Sequence, residues 1–366
     1  MNTMFQKIEY CLKYKDEVVF KFNIEQKTIT MVNPNLLPIS LQNKPVSFDL
    51  VQKFCSDRIL TLNRGYCKEI LTACGIEDQN DINICIMCRA LSFRDNYWIS
   101  RTNKKETWEH VNLYKNNFSS DISHIALTGN MGNADSSNSI GDKIFTGELT
   151  GKGTKAKCYY RSGGKVVMIK NETKPEILSE VITYYIAQAL GIACSKYEIR
   201  NIFGKECSVC EIMTCEEREL IPCRDILSYY NTNQMNYQGD YYAFFMAVDP
   251  LNFIRMQILD YVVLNTDRNR DNFGILAYNG KMLGLYPLFD HDSCFKGKSP
   301  NGNYFPTGIT FSKTLDLLKT TYGKFYHTVN IERFQEIING NKFKEIFLKC
   351  KSAEEYEGML RRAQNL

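Results

Sequence analysis

An α+β chain, with a sheet-rich lobe followed by a helical lobe behind a separate N-terminal region, is what the sequence predicts. Three observations predict it. Strand-like pairs cluster in the middle of the chain, and apolar residues at helical spacing dominate from Tyr241 onward. A stretch rich in Gly, Asn, Ser and Asp between Thr128 and Gly153 reads as a linker that sets the middle apart from what precedes it. The expected regions are 1–130 (accessory), 131–235 (sheet-rich lobe) and 236–366 (helical lobe). A chain of 366 residues, 44% hydrophobic and 12% aromatic, can fill cores of that number.

Charge and cysteine usage narrow the function classes. The net charge of +4, from 45 basic and 41 acidic side chains, is too small to indicate nucleic acid as a partner. Lys7, Glu9, Lys13, Lys15, Asp16 and Glu17 break up any apolar core of a signal peptide, and no run approaches the ~18 apolar residues a bilayer requires. A cytoplasmic protein without a membrane segment is expected, its 14 cysteines mostly reduced thiols that pack as small hydrophobes. Cys85 with Cys88 and Cys207 with Cys210 have Cys-x-x-Cys spacing. The first pair lacks the Gly or Pro of a zinc knuckle, and the second lies in a strand, where positions three apart face opposite ways.

In chain order, Val18 to Phe22 and Thr28 to Val32 read as strands, and Leu50 to Leu60, Cys67 to Cys74 and Ile82 to Leu91 as helices. Tyr97 and Trp98 read as packing aromatics. Past the linker, the glycine loop around Gly153, with Lys157 beyond it, offers backbone N–H groups that can approach a phosphate. It opens a hairpin, Cys158 to Arg161 and Lys165 to Lys170, whose alternating strand ends in Lys170. The helix opened by Pro175 and anchored by Ile177, Val181, Tyr184 and Tyr185 carries Glu180. In a phosphotransferase such a lysine contacts the α- and β-phosphates and such a glutamate holds it in place. Tyr197 to Ile202 and Glu206 to Met213 read as strands, with Glu211 and Met213 at a hinge that offers backbone groups to adenine.

The most informative stretch is 254–292. Apolar positions from Ile254 to Leu264 recur at helical spacing and stop at Asn265, where a polar loop begins. Asn279-Gly280 then predicts a two-residue turn between Phe273 to Tyr278 and Lys281 to Leu285. Pairing Tyr278 with Lys281 and counting outward sets Asn272 against Pro287, which brings Asn272 near Asp290. Asp267 precedes Asn272 by five positions, the Asp-x-x-x-x-Asn spacing of phosphoryl-transfer loops, where the first residue handles the acceptor proton and the second holds a metal. Asp290 supplies the second oxygen ligand, in keeping with Mg²⁺. Each of the three is also common in turns, and the spacing alone is a weak signal. Together, on one helix-loop-hairpin, they point to phosphoryl transfer. Asp292 and His291 follow as lesser candidates, for the metal and for a supporting hydrogen bond.

This stretch resembles the catalytic core of HipA-like kinases, whose loop often runs Asn-Thr-Asp-Arg-His-x-x-Asn-Phe and whose metal aspartate follows an apolar-Pro-apolar-apolar stretch. The match covers Asn265, Thr266, Asp267, Arg268, Asn272, Phe273, Pro287 and Asp290; Asn269 stands where a histidine is frequent. Upstream, Gly153 and Lys157 match the family's Gly-x-Gln-x-Lys loop, with Lys155 replacing the glutamine, and Thr150 falls where a serine can be autophosphorylated. The resemblance implies a two-lobed protein-kinase-like fold, ATP and Mg²⁺ as cofactors, and serine or threonine acceptors on a protein substrate. It also implies autophosphorylation and toxin–antitoxin biology with an antitoxin as partner. Two other readings use the same residues: a kinase of a small molecule or lipid, and a nucleotide-binding pseudokinase, against which the intact Asp267, Asn272 and Asp290 argue.

Overall fold

The computed structural model describes residues 8–77, 80–131, 147–297 and 299–366; most of the linker between Thr128 and Gly153 lies outside the described residues. The chain divides into two compact units, one holding residues up to Asn171 together with Thr214–Glu219, the other Glu172–Met213 and Leu220–Leu366.

In the first unit, an antiparallel sheet runs in the order Thr28–Met31, Glu17–Asn23, Glu9–Tyr14, Tyr97–Arg101. Two of these strands escaped the sequence reading. Glu9–Tyr14 hides its apolar alternation among charges, and Tyr97–Arg101 reads as an aromatic cluster. Both contribute to the core: Leu12 and Trp98 are buried, and the Trp98 indole N–H donates to Lys15 O at 2.6 Å. The helix Phe48–Ser56 is capped by Ser47, whose hydroxyl accepts from Leu50 N. Asp81–Met87 stops short of the expected Leu91 because Arg89 and Ala90 both turn left-handed. The hairpin Lys157–Ser162/Lys165–Lys170 turns at Gly163 and Gly164, with φ of 56° and 78° as a two-residue turn requires.

In the second unit, the helix Lys174–Leu190 starts in a Thr173/Glu176 capping box and ends at Gly191. The hairpin Tyr197–Ile202/Lys205–Glu211 follows. The helix Pro250–Val263 runs through the core: ten of its residues, Phe253, Ile254 and Met256 through Val263, are buried. Helices Phe311–Thr320, Ile331–Asn339, Asn341–Cys350 and Ala353–Gln364 contribute Leu315, Phe334, Phe347 and Met359 to the same core.

The hairpin Gly274–Tyr278/Lys281–Leu285 pairs Tyr278 with Lys281 as expected, but a bulge between Leu276 and Ala277 shifts the outer register by one. Ile275 therefore faces Leu285 rather than Gly284, which corrects the outward count to Pro287. A Cβ at Gly274 would strike the Ile221 carbonyl, so this strand packs closer to its neighbour than any other residue allows. Phe273, at the loop exit, stacks at 6.4 Å on Phe253, itself 5.0 Å from Phe245. All 14 cysteines are free thiols, all but Cys215 and Cys350 buried. Among the described residues no helix is long and apolar enough to cross a membrane, and no group of three or more His, Cys, Asp or Glu is placed to hold a metal ion.

Candidate active site

The core helix Pro250–Val263 ends at Leu264, whose left-handed φ of 49° turns the chain out of the helix and into the loop 265–273. In its last turn lies Asp260, a fully buried carboxylate in an otherwise apolar run. Arg268 answers it from the loop with two bonds of 3.0 Å, Nε to Oδ2 and Nη2 to Oδ1, and Tyr304 and Asn265 donate to the same carboxylate at 2.7 and 3.1 Å. Burial opposes the charge on Arg268, but Asp260 outweighs it and raises the guanidinium above its ordinary value. The remaining nitrogen, Nη1, donates to Asn272 O at 2.7 Å and to Phe289 O at 3.2 Å. One side chain therefore ties the end of the loop to the residue before Asp290.

Around that tie Asp267, Asn272 and Asp290 gather, with Glu180 bonded to the residue after Asp290. The Asn272 amide donates to Asp267 O at 2.8 Å and to Asp267 Oδ2 at 3.2 Å, which leaves Oδ1 as the acceptor of that side chain. Asp267 is half-buried; its Oδ1 accepts from Asn269 at 2.8 Å, and Asn265 Oδ1 holds its backbone N–H. Its carboxyl is raised above the ordinary value, by burial first and by the nearby charges of Asp290 and Asp292, against the pull of the Asn269 and Asn272 amides. Asp290 sits at φ 62°, a left-handed conformation uncommon for residues with a side chain but more open to Asp than to most. Its N–H donates to the Tyr197 hydroxyl at 3.3 Å. Next to it, His291 N–H donates at 2.7 Å to Oε2 of Glu180, so the helix Lys174–Leu190 is docked on the residue after Asp290 through two fully buried groups.

Glu211 closes the strand Lys205–Glu211, and the Met213 thioether accepts from Ser195 at 3.5 Å. The other three predicted residues lie in the first unit. Lys170 ends its strand, is buried, and pairs directly across the hairpin with Lys157. Lys157 Nζ donates to Lys152 O at 2.6 Å, and Gly153, at φ 110°, leaves room for it: a Cβ there would come within 2.9 Å of that nitrogen. The Gly153 N–H donates to Thr61 Oγ1 at 3.0 Å.

The parts that sequence reasoning missed are those that hold the others. Asp260 had a signal, a lone acid among Ile258, Leu259, Tyr261 and Val262, eight positions before an arginine. Tyr304 had none, and Asn269 had only its place in the loop, where a histidine is frequent. The donor set is all oxygen, from an amide and carboxylates, and suits Mg²⁺ rather than a softer ion.

No protein-family model matches the chain, and no curated protein matches it in sequence. Among solved structures, HipA of the Shewanella oneidensis MR-1 toxin–antitoxin system, determined with HipB and its operator DNA, covers 97% of this chain and 97% of its own at TM-score 0.54 and 12% identity. The chain has a HipA-like fold. CtkA, a Helicobacter pylori proinflammatory kinase, covers 57% of this chain and 89% of its own at 17% identity and TM-score 0.38. At 12% identity the likeness to HipA concerns the fold alone.

Proposed function

We propose that this chain is a kinase that transfers the γ-phosphate of ATP to a serine or threonine hydroxyl of a protein. The observation that carries the reading is the cluster of Asp267, Asn272 and Asp290, held together by Arg268. In this reading Asn272 Oδ1 and the Asp290 carboxylate would hold Mg²⁺, which would supply positive charge against that of the phosphates. Asp267, kept in place by Asn269 and Asn272, accepts or orients the proton of the acceptor hydroxyl. Lys157 and Lys170, register partners across the hairpin, supply positive charge for the phosphates. Gly153 contributes to the phosphate loop, Glu180 fixes the segment that carries Asp290, and Glu211 and Met213 border the adenine.

Residues 1–130 form the accessory region of this reading, 131–235 and 236–366 its two lobes. The solved complex of HipA with HipB and operator DNA supports a toxin's role with an antitoxin as partner. The test is incubation with γ-labelled ATP and Mg²⁺, wild type beside Asp267→Asn. Label on the protein itself or on an added protein, absent in the variant, is the expected result. Label only on added metabolites or lipids shifts the acceptor to a small molecule, and nucleotide binding without transfer makes the chain a pseudokinase.

A further inference from the structure

We infer that Arg64, from the N-terminal region, is the positioning residue of the glycine loop and turns the backbone N–H groups of Lys152 and Thr154 toward a bound phosphate. That the phosphate belongs to a nucleotide rests on the kinase reading above; the clamp itself does not.

Arg64 is buried, and its guanidinium donates to four loop carbonyls: Nη1 to Glu148 O at 2.8 Å, Nη2 to Thr150 O at 3.2 Å and to Gly151 O, and Nε to Gly153 O at 3.4 Å. A planar fork with five donors is the side chain able to gather so many acceptors. Glu148 stands beside it as counter-charge, its carboxylate fixed by the Ser123 hydroxyl at 2.9 Å and by Tyr159 N–H at 3.0 Å. The segment around Arg64 adds further bonds to the loop, from Leu60 N to Leu149 O, from Gly65 N to Thr154 O, and from Thr61 Oγ1 to Gly153 O.

The consequence follows from peptide geometry. No peptide bond among the described residues is cis, and a trans peptide sets its C=O and the following N–H on opposite sides. Drawing the Gly151 and Gly153 carbonyls onto Arg64 therefore sends the N–H groups of Lys152 and Thr154 away from it. The left-handed φ values this requires, 74° at Gly151 and 110° at Gly153, are open to glycine at no steric cost. Backbone N–H groups turned to one side of a tight loop make an anion-binding concavity, and Lys157 adds its ammonium group beside Gly153. A region with no assigned chemistry thus shapes the phosphate site.

The test compares binding of MgATP and of adenosine to the full chain by calorimetry, with amide exchange over 147–154. Arg64→Lys keeps a cation and loses the fork. Arg58→Lys is the control, an equally buried arginine of the same unit whose guanidinium is spent on Asp95, Ala90 and Tyr97. Arg64→Lys is expected to weaken MgATP about tenfold, the scale of a lost charge-assisted hydrogen bond, to leave adenosine unchanged and to speed exchange in the loop. Thr61→Val, a milder change that removes the hydroxyl on Gly153, is expected to act in the same direction and serves if Arg64→Lys does not fold. Equal loss of MgATP and adenosine, or the same selective loss in Arg58→Lys, overturns the inference. Wild-type protein that binds MgATP no better than adenosine overturns the kinase reading instead, and exchange over 147–154 then still decides whether Arg64 holds the loop.

Discussion

Arg268 and Asp260 form a bidentate ion pair with no solvent exposure on either side chain, and the same guanidinium holds the carbonyls of Asn272 and Phe289. Through it the buried end of a core helix sets the spacing of the two residues proposed to hold the metal. Removing one partner of such a pair leaves a charge buried alone and costs about 3–5 kcal/mol. Arg268→Ala is accordingly expected to lower the urea midpoint by that equivalent and to abolish transfer. Arg268→Lys, which keeps the charge without the fork, should retain more stability than activity. A variant with unchanged denaturation and turnover would show that the pair carries neither.

Asn269 is expected to act on turnover rather than on nucleotide binding. Its amide donates to Asp267 Oδ1 at 2.8 Å and so fixes the carboxylate proposed to meet the acceptor. Asn269→Ala should lower kcat by about 10- to 100-fold with KM for ATP unchanged. Asn269→His, which restores an N–H donor, should recover most of the loss. Steady-state kinetics of the two variants decides the point; a rise in KM alone would place Asn269 at the nucleotide instead.

The first unit carries its own pH dependence. Glu219 accepts from Asn96 N–H at 2.9 Å, from the Asn96 amide at 3.0 Å and from Tyr14 at 3.1 Å, and burial, reinforced by Asp95, raises its carboxyl from 4.5 to about 7. Folding thus favours the protonated form. The unfolded chain loses this proton near pH 4.5 and the folded chain near 7, so stability falls as the pH rises between those values and is level above them. Glu219→Gln should remove that fall, a gain on the order of 1–3 kcal/mol at pH 8. Urea unfolding at pH 5 and pH 8 measures it, and equal pH dependence in both proteins would refute it.

Thr150 is buried, and its hydroxyl donates to Gly147 O at 2.8 Å. A phosphate there brings nearly two negative charges into a packed loop, which must then leave Arg64. Phosphopeptide mapping after incubation with ATP is expected to find Thr150 modified in wild type and unmodified in Asp267→Asn, with MgATP affinity lower in Thr150→Glu. Thr150 unmodified throughout would remove it as a switch.

Much of the second unit was legible in the sequence because its signals are local. The Asn279-Gly280 turn, the helix that stops before Asn265, and the spacing of Asp267 and Asn272 can all be read from neighbouring residues. The bulge at Leu276 was not legible, since nothing in an alternating strand marks where one extra residue enters. Nor were the long-range contacts: Tyr304 reaches Asp260 from 44 positions away, and Arg64 reaches Glu148 from 84. Strands Glu9–Tyr14 and Tyr97–Arg101 pair across a similar distance, and a charge-rich strand reveals its buried face only once its partner is known.

The central claim is that Asn272 and Asp290 grip one divalent ion beside Asp267. Its most direct measurement is electron paramagnetic resonance of Mn²⁺ titrated into the protein with ATP, for wild type, Asn272→Ala and Asp290→Ala. The account predicts a protein-bound Mn²⁺ signal in wild type that is lost in Asp290→Ala and weakened in Asn272→Ala, with phosphoryl transfer lost in parallel. Full binding and transfer in both variants would contradict it.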